Sequence, residues 1–177
     1  MRVILGAGAA LALIGAAPLA AAQTTGTVDI TGSVGERCEF TIDSGLITLG
    51  ELSGTGGALD AAVVNGASDT LNGWCNGTAA EMTVEAHALQ NITYVGAPPA
   101  GFETVVNFTA TATATPSGGP VSANDSSAVA GAGAPSVVGV FSSDIDVVLS
   151  AAATPGGGKL IAGSYEGSVD VTLTPSP

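Results

Sequence analysis

Few residues in this 177-residue chain have catalytic potential, and they are scattered. His87, the only histidine, lies in a run of alternating apolar and polar residues, which places it on the outer face of a strand with Glu81 and Glu85. A hydrolase triad needs a histidine beside a nucleophile, and this pattern provides none. Paired carboxylates, including Asp144 with Asp146, act as acid and base only when their pKa values are separated, and no such environment is apparent. The sequence therefore predicts that the protein is not an enzyme.

Two cysteines, Cys38 and Cys75, are more informative than the titratable residues. A zinc site would need further sulfur or nitrogen ligands beside these cysteines. A calcium-binding loop would need twelve residues with a central glycine, and Asp144 and Asp146 do not lie in such a loop. In an oxidising compartment a lone cysteine pair is most simply one disulfide. Closing a loop of this length is worth about 4 kcal/mol in the chain-entropy model. We expect a disulfide, no metal and no cofactor.

The beginning of the chain has the composition of a secretory signal. A basic residue at position 2 is followed by an apolar run through position 19 and then by three alanines, which predicts a cleaved signal peptide over residues 1–22. Residues 23–177 are the size of one ordinary domain. They contain no second apolar run long enough to cross a bilayer, so we expect no membrane span after cleavage.

The charge balance excludes two classes of partner. Fifteen Asp and Glu residues face only three basic residues in the whole chain, and of these only Arg37 and Lys159 follow the predicted signal peptide. So acidic a protein repels phosphate backbones and anionic lipid headgroups. We expect neither nucleic acid nor a membrane surface as a partner, and we assign the negative charge to keeping the protein soluble.

The remaining sequence has the two-residue period of half-buried β-strands, separated by glycine- and proline-rich turns. A segment rich in Ser, Gly, Ala and Asn, residues 116–135, is predicted to be a mobile surface loop. Many short strands and one disulfide favour a single all-β domain, an immunoglobulin-like β-sandwich. The clearest predicted strands cover residues 27–34, 38–42, 46–49, 81–89, 105–114, 137–141, 145–149 and 168–174.

The first and last predicted strands each have an apolar face. A terminal strand with such a face is unstable in water alone, so both strands must pair with something. The positions that share the apolar face are Val28, Ile30, Gly32 and Val34 in the first strand, and Val169, Val171 and Leu173 in the last.

With these two strands the sequence resembles the subunits of chaperone-usher pili, including the spore-coat-U-like secreted proteins. The resemblance touches most of the chain after residue 22. The shared features are the N-terminal strand with Gly32, Cys38 shortly after it, the run Leu49-Gly50-Glu51-Leu52, Cys75, and Ala162-Gly163-Ser164-Tyr165 before an alternating last strand.

The resemblance implies an immunoglobulin-like sandwich that lacks its final strand and is completed by a donor strand from a neighbouring subunit. The N-terminal extension, residues 23–35, would insert Val28, Ile30 and Val34 into the groove of the neighbour, with Gly32 leaving room where the groove is shallow. The groove would lie in the domain formed by residues 36–177. Its edge would be the C-terminal strand, with Tyr165, Val169, Val171 and Leu173.

The partners implied by the resemblance are other copies of the chain or sibling pilin subunits. A periplasmic chaperone would protect the groove and an outer-membrane usher would exchange it for the next subunit, giving an extracellular fimbrium on the cell surface that supports adhesion. Two alternative interpretations remain. In the first, residues 27–34 pair within their own domain. In the second, the protein is a self-contained secreted binding module, for example for carbohydrate, that uses residues 116–135.

Overall fold

A computed structural model of the chain describes residues 24–176. The chain divides into two compact units, Met1–Ser33 and Val34–Pro177. In the first unit the described residues, 24–33, are exposed and form no helix or strand, so the strand predicted over residues 27–34 is wrong for the chain on its own. The predicted signal peptide, residues 1–22, lies outside the described residues.

Nearly all regular structure in the second unit is β. One short helix, α1 (Ala61–Val64), begins at Asp60, whose side chain accepts a hydrogen bond from the N–H of Ala62 at 3.2 Å. The strands are β1 (Cys38–Ile42), β2 (Ser68–Cys75), β3 (Glu81–Asn91), β4 (Phe102–Glu103), β5 (Val105–Ala114), β6 (Val121–Ser126), β7 (Ser136–Val137), β8 (Phe141–Ala153), β9 (Lys159–Leu160) and β10 (Tyr165–Thr174).

The long strands form one antiparallel sheet in the order β1-β2-β8-β5-β3-β10. β5 joins the two layers of this sheet, because its first two residues pair with β3 while residues 107–114 pair with β8. One layer therefore contains β1, β2, β8, β5 and β6, and the other contains β3, β10 and β7. A separate parallel pair is formed by β4 and β9. The predicted all-β sandwich is confirmed.

The core lies between the layers and follows the alternation of the strands. In β5 the side chains of Val106, Phe108 and Ala110 are buried, while the intervening polar side chains are only partly buried. In β3 the buried positions include Met82 and Val84. Full burial of an aliphatic side chain of this size contributes about 1.5–3 kcal/mol, so the alternating faces provide the main driving force for this fold.

Four strands of the domain were not predicted from the sequence, the longer β2 and β6 and the short β4 and β9, and two predicted strands are changed. β2 pairs with both β1 and β8, although its polar residues and glycine interrupt the alternating pattern. β6 lies inside residues 116–135, so the prediction of one continuous mobile loop there is wrong. Residues 46–49 form no strand, and the predicted strand over residues 137–141 is divided between β7 and β8.

β6 and the residues after it complete one edge of β3. The carboxylate of Asp125, which is only 8% exposed, accepts a hydrogen bond from the N–H of Ala86 at 2.9 Å. The N–H of Gly133 donates to the carbonyl of Val84, also at 2.9 Å. A side chain and a loop thus take the place of a strand along the stretch between β7 and β5 on the edge of β3 that faces away from β10.

We expect the substitution Asp125→Ala to lower the free energy of unfolding by about 1–3 kcal/mol, because the N–H of Ala86 is left buried without an acceptor. Asp125→Asn retains a side-chain oxygen and should cost less. Urea denaturation followed by circular dichroism measures both. The matched control is Asn124→Ala on the outward face of the same strand, and equal stability of Asp125→Ala and this control would contradict the assignment.

Candidate functional site

The most distinctive feature of the domain is the unpaired edge of β10. This strand pairs with β3 along one edge, and within residues 24–176 no strand pairs with its other edge. Val171 lies opposite Val84, whose carbonyl is directed away from β10 toward Gly133. In an antiparallel pair such opposed residues direct their N–H and C=O groups outward on both strands. Val169 and Val171 therefore present their backbone groups at the unpaired edge, which is a template for another strand.

The side chains on the inner face of β10 are only partly covered. All four residues predicted at the groove edge pack against the core but none is fully buried. They are Tyr165, Val169, Val171 and Leu173. The same strand thus lacks partners for both its backbone and its apolar face.

A groove runs between β10 and the coil of residues 43–53, and we call it the β10 groove. It contains two adjoining cavities of about 220 and 890 Å³. The smaller cavity is largely apolar, and of residues 24–176 Asp69 is the only charged one that lines it. Its main apolar lining residues are Leu46, Leu71, Leu89, Phe108, Val147 and Val169.

The wall opposite β10 also lacks a regular backbone partner. The pairing of β1 with β2 ends at Ile42, opposite Asn72, and residues 43–51 make no backbone–backbone hydrogen bond within the described chain. Instead, the N–H of Leu46 donates to the Asp69 carboxylate at 2.5 Å. The wall is thus held by a side chain rather than by a ladder, which leaves its backbone groups available to an inserted strand.

A β-bulge shapes the floor of the groove. Two residues of β3, Ala88 and Leu89, lie opposite the single residue Gly167 of β10. Leu89 is buried and lines both cavities, so the inward-facing side chains of β3 shift by one residue at the bulge. A Cβ at Gly167 would lie 2.6 Å from the carbonyl oxygen of His87, which explains why glycine is required there.

The groove narrows toward the end of the domain where β1 begins, which we call the Cys38 end. A Cβ at Gly73 of β2 would lie 3.2 Å from Leu173 of β10 and 3.4 Å from Phe40 of β1, so the two edge strands approach each other over this glycine. The predicted disulfide is confirmed, since Cys38 and Cys75 lie directly opposite each other on β1 and β2 and are bonded. The disulfide also indicates folding in an oxidising compartment.

The other end of the groove, where β10 begins, is wider and we call it the Tyr165 end. The hydroxyl of Tyr165 donates to the carbonyl of Ile161 at 2.9 Å and fixes the rim. Among the described residues, Glu51 and Glu166 are the only charged ones that line the larger cavity. The hydroxyl and the N–H of Ser53 both donate to the Glu51 carboxylate and lower its pKa.

The predicted donor residues are highly exposed. Val28 is 85% exposed, Ile30 is 91% exposed and Val34 is 86% exposed, and no atom lies within 4 Å of a Cβ built on Gly32. Exposure of three large aliphatic side chains in one short segment forfeits their burial energy unless a partner covers them.

Residues with catalytic potential lie on outer faces of the sandwich. The Nε2 atom of His87 is 3.1 Å from the Asp170 carboxylate, and both side chains are largely exposed. Asp144 accepts a hydrogen bond from Asn72 at 2.7 Å, and Asp146 accepts one from Thr70 at 3.1 Å. Among residues 24–176 no group of three His, Cys, Asp or Glu residues could hold a metal ion. In that part of the chain no helix has the length and hydropathy needed to span a bilayer.

Comparison with known proteins gives no relative. No family model matches the chain, and no curated protein or solved structure is significantly similar to it. The function is therefore inferred from the β10 groove, the exposed N-terminal segment and the disulfide.

We expect Gly167→Ala to destabilise the domain by about 1–3 kcal/mol, because the added methyl group collides with the backbone of β3 and disrupts the bulge that turns Leu89 inward. Gly118→Ala is the matched control, since a Cβ there has no atom within 4 Å. It should change the stability by less than about 0.5 kcal/mol. Urea denaturation of both variants is the measurement, and similar midpoints for the two would argue against the bulge as a structural requirement.

Proposed function

We propose that the protein is a structural subunit of a bacterial surface pilus that supports adhesion. One copy inserts its N-terminal extension into the β10 groove of the next and thereby completes the sandwich. The observation that carries this proposal is made on Val169 and Val171 of β10. Within residues 24–176 their outward backbone groups pair with no strand, and their side chains are only partly covered. An inserted strand with an apolar face supplies both a partner and a cover.

The N-terminal segment has the composition that such a groove requires. Val28, Ile30 and Val34 alternate with polar residues, so they share one face in an extended strand. Residues 28–34 would span about 20 Å at the usual rise of a strand. Three buried aliphatic side chains at about 1.5–3 kcal/mol each, together with a backbone ladder, would hold such a strand almost permanently.

The open groove also supports the proposal that other proteins assist assembly. A subunit with an exposed apolar groove and an unpaired strand edge is prone to aggregation before it meets its neighbour. In the family that the sequence resembles, a periplasmic chaperone covers the groove and an outer-membrane usher exchanges it for the next subunit. The same two partners are proposed here, together with export through the periplasm, where the disulfide can form.

The alternative of a self-contained binding module is favoured by no specific observation. It depended on residues 116–135 as an open, mobile loop, whereas β6 occupies part of this segment and Asp125 and Gly133 fasten it to β3. The cavity of about 580 Å³ that Pro116 and Ser117 line with Trp74 and Phe141 lies before the fastened part of this segment and involves none of residues 118–135.

We expect Ile30→Asp to prevent polymerisation in the producing cell, because the buried carboxylate would have no partner in an apolar groove. Thr31→Asp introduces the same charge on the opposite face of the same strand and should leave polymers intact. Filaments sheared from the cell surface are examined by electron microscopy. They are also examined by electrophoresis without heating, so that polymers of different length stay assembled and give separate bands.

Deletion of residues 24–34 should likewise leave monomers that are bound to a chaperone and absent from filaments. Polymers of normal length from Ile30→Asp or from the deletion would refute the proposed function. Polymers lost equally in Thr31→Asp would show that charge in this segment, rather than insertion of one face, is responsible.

A further inference from the structure

The two basic residues of the described chain lie at opposite ends of the domain. Arg37 immediately precedes β1 at the Cys38 end, and Lys159 begins β9, in the loop that leads into β10 at the Tyr165 end. Within residues 24–176 neither of them pairs with a carboxylate, since the one ion pair found there joins His87 and Asp170. In so acidic a protein, each of these cations can attract carboxylates of another copy, whereas most other contacts between copies are repulsive.

The backbone of residues 35–37 is fastened to the domain by one side chain. The Asn76 carboxamide oxygen accepts from the N–H of Arg37 at 2.6 Å, and its NH₂ group donates to the carbonyl of Gly35 at 3.0 Å. The N–H of Asn76 also donates to the carbonyl of Arg37 at 3.0 Å. The position at which the extension leaves the domain, and with it the location of Arg37, is therefore fixed.

The direction of the inserted strand decides which ends of two copies meet. β1 and β10 run in opposite directions on the two sides of the groove, as the antiparallel pairings between them require. A strand parallel to β10 would leave the groove at the Cys38 end, so that like ends meet and a closed dimer results. A strand antiparallel to β10 would leave at the Tyr165 end, so that unlike ends meet and the assembly stays open.

The larger cavity at the Tyr165 end provides the complementary charge. Glu51 lies on the coil wall and Glu166 on the β10 wall, and neither Arg37 nor Lys159 lines this cavity. Arg37 follows Val34 by three residues, so in the antiparallel arrangement it lies within about 11 Å of the site where Val34 leaves the groove. In the parallel arrangement Arg37 would instead approach the Cys38 end, where the same cation of the other copy lies.

We infer that Arg37 of one copy pairs with Glu51 and Glu166 at the Tyr165 end of the next copy, and that this ionic contact selects head-to-tail insertion. The inference rests on the proposed function and adds the residues that fix the orientation of the inserted strand. The contact is exposed at the rim of the groove, so it is weakened by salt. It acts in addition to the buried face of the extension, which provides most of the binding energy.

The test uses filaments of the full chain sheared from the producing cell. The rate at which subunits dissociate from them in detergent is measured at low and high ionic strength for Arg37→Gln, for Glu51→Gln with Glu166→Gln, and for all three together. Each set should accelerate dissociation about twofold to fivefold at low salt, and the triple variant should dissociate no faster than either. The charge exchange Arg37→Glu with Glu51→Arg should restore the slow rate.

Lys159→Gln is the matched control, because it removes the same charge but not the proposed pair. An equal effect of this control would overturn the inference, and so would additive effects of Arg37→Gln and of the two glutamate substitutions. In either case the presence of filaments would still support the proposed function. A wild-type chain that forms no filaments would overturn both.

Discussion

Within residues 24–176, β10 is hydrogen-bonded to another strand along one edge only, and its apolar face is incompletely buried. Each unpaired backbone group that becomes buried costs free energy comparable to a lost hydrogen bond, and each exposed aliphatic side chain forfeits its burial energy. In Val169 and Val171 the two requirements fall on the same residues. A small apolar ligand would satisfy the side chains alone and leave the backbone unpaired, whereas an extended peptide segment satisfies both. This constraint connects the unpaired edge, the coil wall of the groove and the exposed N-terminal segment.

The strands with regular alternation could be predicted from the sequence, because burial on one face leaves a local two-residue pattern. β3, β5 and β10 belong to this group, and the disulfide followed from cysteine number and predicted export. β2 could not be predicted, because Gly73 is required by the approach of Phe40 and Leu173, which are distant in sequence. Leu89 was missed for a similar reason, since the bulge opposite Gly167 shifts the alternation of β3 by one residue.

Polar side chains take over where backbone ladders end in this domain. Asp125 replaces a strand beside β3, Asp69 holds the coil wall of the groove, and Asn76 fastens residues 35–37. A local pattern gives no sign of these roles, because an aspartate in a strand or an asparagine in a turn is normally exposed to solvent. The candidate site was therefore predictable as a strand with an open face, but its opposite wall and the point where the extension leaves the domain were not.

The disulfide has a mechanical consequence for a filament of the proposed kind. Tension transmitted from a neighbour through an inserted extension would enter the domain at Arg37 and reach Cys38 one residue later. Cys38 is bonded to the directly opposite Cys75, so the force passes covalently into β2, which is held between two strands. β1 then cannot be peeled from the sheet one hydrogen bond at a time, and the domain would have to be sheared as a whole.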